Sequence, residues 1–280
     1  MPIWLDDFLF TYETLIHALG VHGLLALSMY CVMAVGQLSL GQAAFMGIGA
    51  YTGALLTLNL GLPFWLVLPL SALAPAVVAL VIGGPTLRLS GVYLAISTIA
   101  LGEVLRVLYI NAEWLTGGAL GLSGIPRKAD LWLIYLLLFL AVLGFWAVGR
   151  SKIGRAMEAM REDEAVAGVM GVNLPVYKMG ALVVSAMLAG LAGCLTAHSN
   201  SFIGPNEFGF EMAVTILSFA LLGGIGTPIA PVIGALVLTS LPEILRPLQD
   251  FRLVINGLII VVAVLFLPRG VIPFRLRRAP

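Results

Sequence analysis

Eight charged side chains crowd fifteen consecutive residues near the middle of the chain: Arg150, Lys152, Arg155, Glu158, Arg161, Glu162, Asp163 and Glu164. Mixed signs at this density suit ion pairs and a docking surface, and no His, Asp or Glu cluster with a nucleophile or metal spacing stands there. Ile153, Met157, Met160 and Ala167 recur there at steps of four, three and seven. That is helical spacing with one apolar and one charged face. The stretch from Arg150 to Pro175 is too charged to cross a bilayer and too amphipathic for an idle loop. It reads as a helix at the membrane surface. Two roles fit it: an anchor for the neighbouring spans, or a handle offered to a cytoplasmic partner.

The other residues capable of chemistry are few and scattered. Glu103 and Arg106 stand three apart inside an apolar run, where they pair on one helix face. Ionisable groups within a span are costly and face protein or water. This pair lies towards the end of its span and reads as a structural ion pair near the interface. Cys31 and Cys194 sit in apolar runs with no metal-ligand spacing and read as packing residues. His17 and His22 read as interfacial or helix-packing residues. The glycines of residues 111–130 suggest phosphate binding, but no Lys-Ser or Lys-Thr follows at P-loop spacing, and the chain holds no Walker A sequence. Nothing here assembles an enzyme active site.

The elements that must position these residues are membrane spans. The 280 residues are 60% hydrophobic and 10% charged, far from the roughly 25% charged residues of a soluble domain. Net charge is +1, so no global field points to nucleic acid. The apolar runs approach the roughly 20 residues of a helical span and lack the alternation of barrel strands. The fold class is therefore an all-α polytopic membrane protein, read as one transmembrane domain over residues 1–280. About nine hydrophobic segments stand out, with eight to ten possible: 15–35, 36–61, 63–83, 89–110, 131–148, 176–197, 211–222, 229–245 and 253–267. The seventh is short for a full crossing. The link at 85–90 and the bends expected at Pro69 and Pro75 follow from proline chemistry.

The second segment opens on a polar, Gly-rich break holding Gln37, Ser39 and Gln42 between Gly36 and Gly41. Small residues then repeat four apart at Ala43 and Gly47, Gly49 and Gly53, and Ala50 and Ala54. Such spacing lets a neighbouring helix approach closely, and a polar break at a helix end can line an aqueous path. Gln37, Ser39, Gln42, Thr52, Ser97 and Thr98 are the candidate path residues.

Basic residues set the orientation. Arg150 to Arg161 and the tail with Arg269, Arg275, Arg277 and Arg278 belong on the cytoplasmic side. Four segments between them satisfy this, and five before the first basic stretch place the N-terminus outside. The first fourteen residues carry no Lys or Arg and are acidic and aromatic, without the start of a cleavable signal. Arg127 and Lys128 fall outside, against the trend.

GQLSLGQAAFMGIGAYTGALL, PTLRLSGVYLAISTIALGEVLRVL, GRAMEAMREDEAVAGVMGVNLPVYK and LLGGIGTPIAPVIGA occur in this order. Together they resemble the LivM-type permease subunit of branched-chain amino acid ABC importers. The resemblance covers residues 36–245. It implies a non-enzymatic transport subunit of a bacterial inner membrane with no cofactor of its own, ATP and Mg being held by partners. The implied partners are a second, LivH-like permease, two cytoplasmic ATPases and a periplasmic substrate-binding protein, all around a chain embedded in lipid. It also implies that the loop at 150–175 carries a coupling helix docked on an ATPase, with Arg155, Glu158, Arg161, Glu162 and Glu164 as its charged contacts. The broader importer loop motif begins Glu-Ala-Ala with a glycine at fixed distance. Here Glu164 and Ala165 precede Val166, and Gly168 and Gly171 do not keep that spacing, although Leu174 and Pro175 close the loop. The rival from another class is an ion-coupled secondary transporter or channel working without an ATPase. It would call for more ionisable groups in mid-membrane.

Overall fold

The computed structural model describes residues 3–86 and 88–244, with side chains from residue 12 onwards through 243. The ninth apolar segment and the four C-terminal arginines lie outside the described residues, as do most side chains of the acidic, aromatic lead.

Among the described residues, eleven α-helices and a two-stranded pairing follow one another: α1 (Ile3–Met33), α2 (Gln42–Leu60), α3 (Phe64–Thr86), α4 (Val92–Asn111), the short α5 (Glu113–Thr116), β1 (Leu122–Ser123), α6 (Leu131–Arg150), α7 (Lys152–Glu162), α8 (Glu164–Val169), α9 (Leu174–Asn200), β2 (Phe202–Ile203), α10 (Phe210–Gly223) and α11 (Ile229–Ile244). Six of these are long and apolar enough to cross a membrane: α2, α3, α4, α6, α9 and Tyr12–Met33 of α1. The all-α polytopic reading is thus met. The link expected at 85–90 is shorter than its prolines suggest, since α3 carries Pro69, Pro75 and Pro85 within it.

α9 is the post around which α1, α2 and α3 gather. Its small residues are why. A Cβ on Gly49 of α2 would sit 2.2 Å from the Gly190 carbonyl oxygen, and one on Gly193 would sit 2.0 Å from that of Met46. On the other side a Cβ on Gly190 would meet the Ser71 carbonyl oxygen of α3 at 2.5 Å. Backbone therefore touches backbone at both crossings, which only glycine permits. Ser185, Ala186, Ala189 and Gly193 are buried as their spacing suggests, whereas Gly180 is exposed. In lipid, where apolar burial does not drive association, such close packing is the main source of cohesion.

Polar ties sit within this core. Ser28 donates to the Ser185 carbonyl at 2.9 Å, and Gln42 Nε2 donates to Ser185 Oγ at 3.3 Å. Each histidine bridges elements: His17 Nε2 lies 3.1 Å from the Ala129 carbonyl, His22 Nδ1 2.8 Å from Thr239 Oγ1, and His198 Nε2 2.9 Å from Thr57 Oγ1. Cys31 and Cys194 are buried, free thiols. Both residue types are packing groups, as expected. α6 is different: Ile134 is its one buried residue among the described residues, and Trp132, Phe139, Leu140, Leu143 and Trp146 are exposed. Its surface is made for lipid or a neighbouring subunit.

α10 and α11 pack on each other and are short. At 1.5 Å per residue, their 14 and 16 residues reach only about 21 and 24 Å, against roughly 30 Å of hydrocarbon. The deficit is met by the loop at 201–209, which folds down onto α4 before α10 begins. There Leu122 pairs with Ile203 and Ser123 with Phe202, and the Lys128 N–H reaches the His198 carbonyl at 3.3 Å. Those contacts join the 112–130 and 201–209 loops into one cap at the end of the bundle opposite α7 and α8.

Candidate functional site

The amphipathic stretch is two helices, not one. Ser151 starts α7, its Oγ accepting the N–H groups of Ile153 at 3.1 Å and Gly154 at 3.4 Å. Asp163 leaves helical geometry with φ −154° and ψ 106° and caps α8 by accepting the Val166 N–H at 3.0 Å. The continuous helix expected over 155–167 is thus broken at Asp163, because a short acceptor side chain there competes with the helical hydrogen bond.

The apolar stripe holds only in part. Met160 and Ala167 are buried with Cys31, Val35 and Ala181, flanked by Met157, Phe145, Val172, Leu174 and Tyr177. α7 and α8 are therefore clamped onto the ends of α1, α6 and α9. Ile153, one turn earlier, is exposed instead. Among the five expected charged contacts, Arg155, Glu158, Glu162 and Glu164 are exposed. Arg161 turns inward. Its side chain is 15% exposed, and Nη1 donates to the Ile225 carbonyl at 3.1 Å. Ile225 lies in the turn between α10 and α11. On its other side Arg161 backs against the break after α1: Gly36 has φ +76°, and a Cβ there would lie 3.4 Å from Arg161 Cα. One residue thus touches both the break after α1 and the turn between α10 and α11.

Glu164 is held too, by Lys178 of α9 at 2.5 Å, and Arg150 lies 3.4 Å over the Trp146 ring. Beside these charges the surface carries an apolar patch. Val166, Val169 and Met170 are 55%, 90% and 78% exposed on α8 and the turn after it. The charge count drew attention to α7 and away from these three. Their signal was present as apolar residues with no place on the stripe through Met157 and Met160.

The expected path residues divide. Gln37, Ser39, Gln42 and Thr98 are buried, while Thr52 and Ser97 are partly so. Thr98 Oγ1 accepts the Leu40 N–H at 2.9 Å and donates back to the Leu94 carbonyl at 3.0 Å. It therefore fastens the polar break to α4. Ser39 Oγ accepts the Gly41 N–H at 3.3 Å. Only Gln37 keeps a buried, unpartnered acceptor, Oε1. A Thr98→Val substitution is expected to lower stability by about 1–3 kcal/mol, because it leaves the buried Leu40 N–H without its acceptor. Thermal melting of the purified protein in detergent checks this.

At the opposite end, Glu103 and Arg106 form the expected ion pair at 2.8 Å. Arg106 also donates to Asn206 Oδ1 at 3.0 Å, and Glu103 Oε1 accepts the Phe210 N–H at 3.3 Å. The pair is a brace between α4 and the start of α10. Among the described residues, no three His, Cys, Asp or Glu side chains gather as a metal site would require.

The chain matches the family model described as branched-chain amino acid transport system / permease component over residues 11–265. It is 34% identical over 272 residues to the high-affinity branched-chain amino acid transport system permease protein LivM of Salmonella typhimurium, covering 85% of this chain and 64% of that protein. LivM of Escherichia coli K12 gives the same identity and coverage. The autoinducer 2 import system permease protein LsrC of Enterobacter sp. strain 638 is 30% identical over 234 residues, covering 79% of this chain and 67% of that protein. The chain thus spans somewhat less than two thirds of the length of the LivM relatives. No solved structure matches it.

Proposed function

The chain belongs to the branched-chain amino acid transport system permease family, and from that premise we propose that it is a membrane-spanning subunit of an ATP-driven importer. It would pass branched-chain or other small amino acids, or related amides and acids, from a periplasmic binding protein to the cytoplasm across a bacterial inner membrane. Its further partners would be a second, LivH-like permease and two cytoplasmic ATPases. The chain itself performs no chemistry; ATP and Mg belong to the ATPases.

The observation that carries this reading is the exposed apolar face of α8. Three large apolar side chains stand in water-side surroundings on a short helix whose other side is pinned to three spans. A chain without a nucleotide motif has use for such a face when an energy-supplying partner covers it.

The topology we propose is nine crossings with the N-terminus outside and the C-terminus inside. The placement of α7, α8 and the Ile225 turn at one end, and of the joined 112–130 and 201–209 loops at the other, supports α10 as a crossing. Closure of the ATPases would move α8 and α7 together. Arg161 would then pull on the Ile225 turn and press on the break at Gly36. Gln37, next to that break with its free carbonyl oxygen, is the best placed of the six path residues to meet the substrate. Specificity would rest chiefly with the binding protein.

The test is purification of the tagged chain from its native membrane. Co-purifying ATPases whose ATP hydrolysis rises with substrate-loaded binding protein are the expected result. Uptake by the chain alone in liposomes, driven by an ion gradient, would mean that it works as a secondary transporter.

A further inference from the structure

The end of α3, the start of α8 and the start of α9 enclose a cavity of about 420 Å³, lined by Gly84, Arg88, Glu164, Leu174, Lys178 and Met179 among others. Its charges do not cancel. Lys178 and Glu164 neutralise each other at 2.5 Å. Arg88 is exposed, and its side chain makes no hydrogen bond or ion pair among the described residues. The lining therefore carries one uncompensated cation beside the apolar walls of Leu174 and Met179.

Apolar surface runs from this cavity along the bundle. Gly83 of α3 packs against Met179 and Leu182 of α9. On the face of α3 turned away from that contact, Val77, Val81 and Gly84 stand exposed at steps of four and three, in line with Arg88. A cation at the level where spans end, beside an apolar helix face running along them, suits a molecule with an anionic head and long apolar tails. Basic pockets between spans at the cytoplasmic face are places where acidic lipid heads bind. A free amino acid fits less well: its ammonium group would need Glu164, which Lys178 already holds.

We propose that this cavity binds the phosphate head of an anionic phospholipid, with Arg88 as its cation and the exposed apolar face of α3 seating an acyl chain. The site shares Glu164 with α8 but not Val166, Val169 or Met170, and it does not depend on which partner drives the chain.

The full-length chain is purified in mild detergent, mixed with phosphatidylglycerol and phosphatidylcholine, and its retained lipids are measured by native mass spectrometry. One phosphatidylglycerol should survive delipidation. Arg88→Gln should weaken its retention about tenfold, the scale of one charge-assisted contact. Gly84→Leu should do the same by filling the cavity mouth while keeping the charge. Arg88 faces open surroundings, so Arg88→Gln should melt as the parent does; if it melts early, Gly84→Leu decides. Unchanged retention in Gly84→Leu, or equal retention of phosphatidylcholine, overturns the proposal. So does competition by inorganic phosphate or glycerol 3-phosphate at concentrations matching the lipid, which would make this a site for soluble phosphate.

Discussion

Gly193→Ala is expected to be strongly destabilising, although alanine is the better helix former. The added carbon would lie 2.0 Å from the Met46 carbonyl oxygen and 3.0 Å from the Ala50 nitrogen. Both are backbone atoms of α2, so no side chain can turn away, and α2 and α9 must part by more than an ångström. Overpacking of this kind costs typically about 1–3 kcal/mol. Parting α2 from α9 also loosens the neighbouring Gly49–Gly190 contact and the seat of Gly190 on α3. For a chain of this size about 2–4 °C of melting temperature goes with each kcal/mol, so a fall of several degrees is expected. Gly180→Ala is the matched control. It lies in α9 where a Cβ meets nothing within 4 Å, and alanine there should gain about 0.5–1 kcal/mol from helix propensity. Size-exclusion thermal melts of both variants check the contrast. Equal melting temperatures would remove the claim that backbone contact at the α2–α9 crossing holds the bundle together.

That crossing was legible in the sequence as small residues four apart, because close approach leaves a periodic trace in composition. The spans were legible for the same reason, with bounds set by the run of apolar residues. What could not be read was direction. Arg161 has the same charge and spacing as its exposed neighbours, yet it faces the Ile225 carbonyl sixty-four residues away. No local pattern encodes a partner contributed by another turn. Thr98 shows the same limit: its hydroxyl is as suited to lining a path as to capping Leu40, and only the fold decides. The break at Asp163 was readable in principle, since an Asp three residues before Val166 is a helix-capping signal, but the charge density around it masked the cap. The proline at 85 misled in the other direction, because α3 tolerates it one residue before its end.

The double substitution Val169→Asp with Met170→Asp is expected to abolish ATPase association and reduce uptake to background. Both side chains are almost wholly exposed, so their replacement disturbs no contact within the chain and the protein should melt as the parent does. In a covered interface, each would place a carboxylate in an apolar seat. Hot-spot losses run at about 2 kcal/mol or more per residue, roughly thirtyfold in affinity, and two such losses leave no stable complex at ordinary protein concentrations. Arg161→Ala should behave differently. Arg161 is mostly covered and reaches the α10–α11 turn rather than the surface, so ATPases should still co-purify. What should fall is transport for each ATP hydrolysed, by about tenfold, because a hydrogen bond from a charged donor is worth about 1.5–3 kcal/mol and here it links α7 to the α10–α11 turn, which the proposed coupling would have to move. Pull-down, ATP hydrolysis and uptake measured on the same preparations separate the two effects. Loss of association in Arg161→Ala with normal association in the α8 double variant would reverse the roles, returning the docking surface to the charged face of α7.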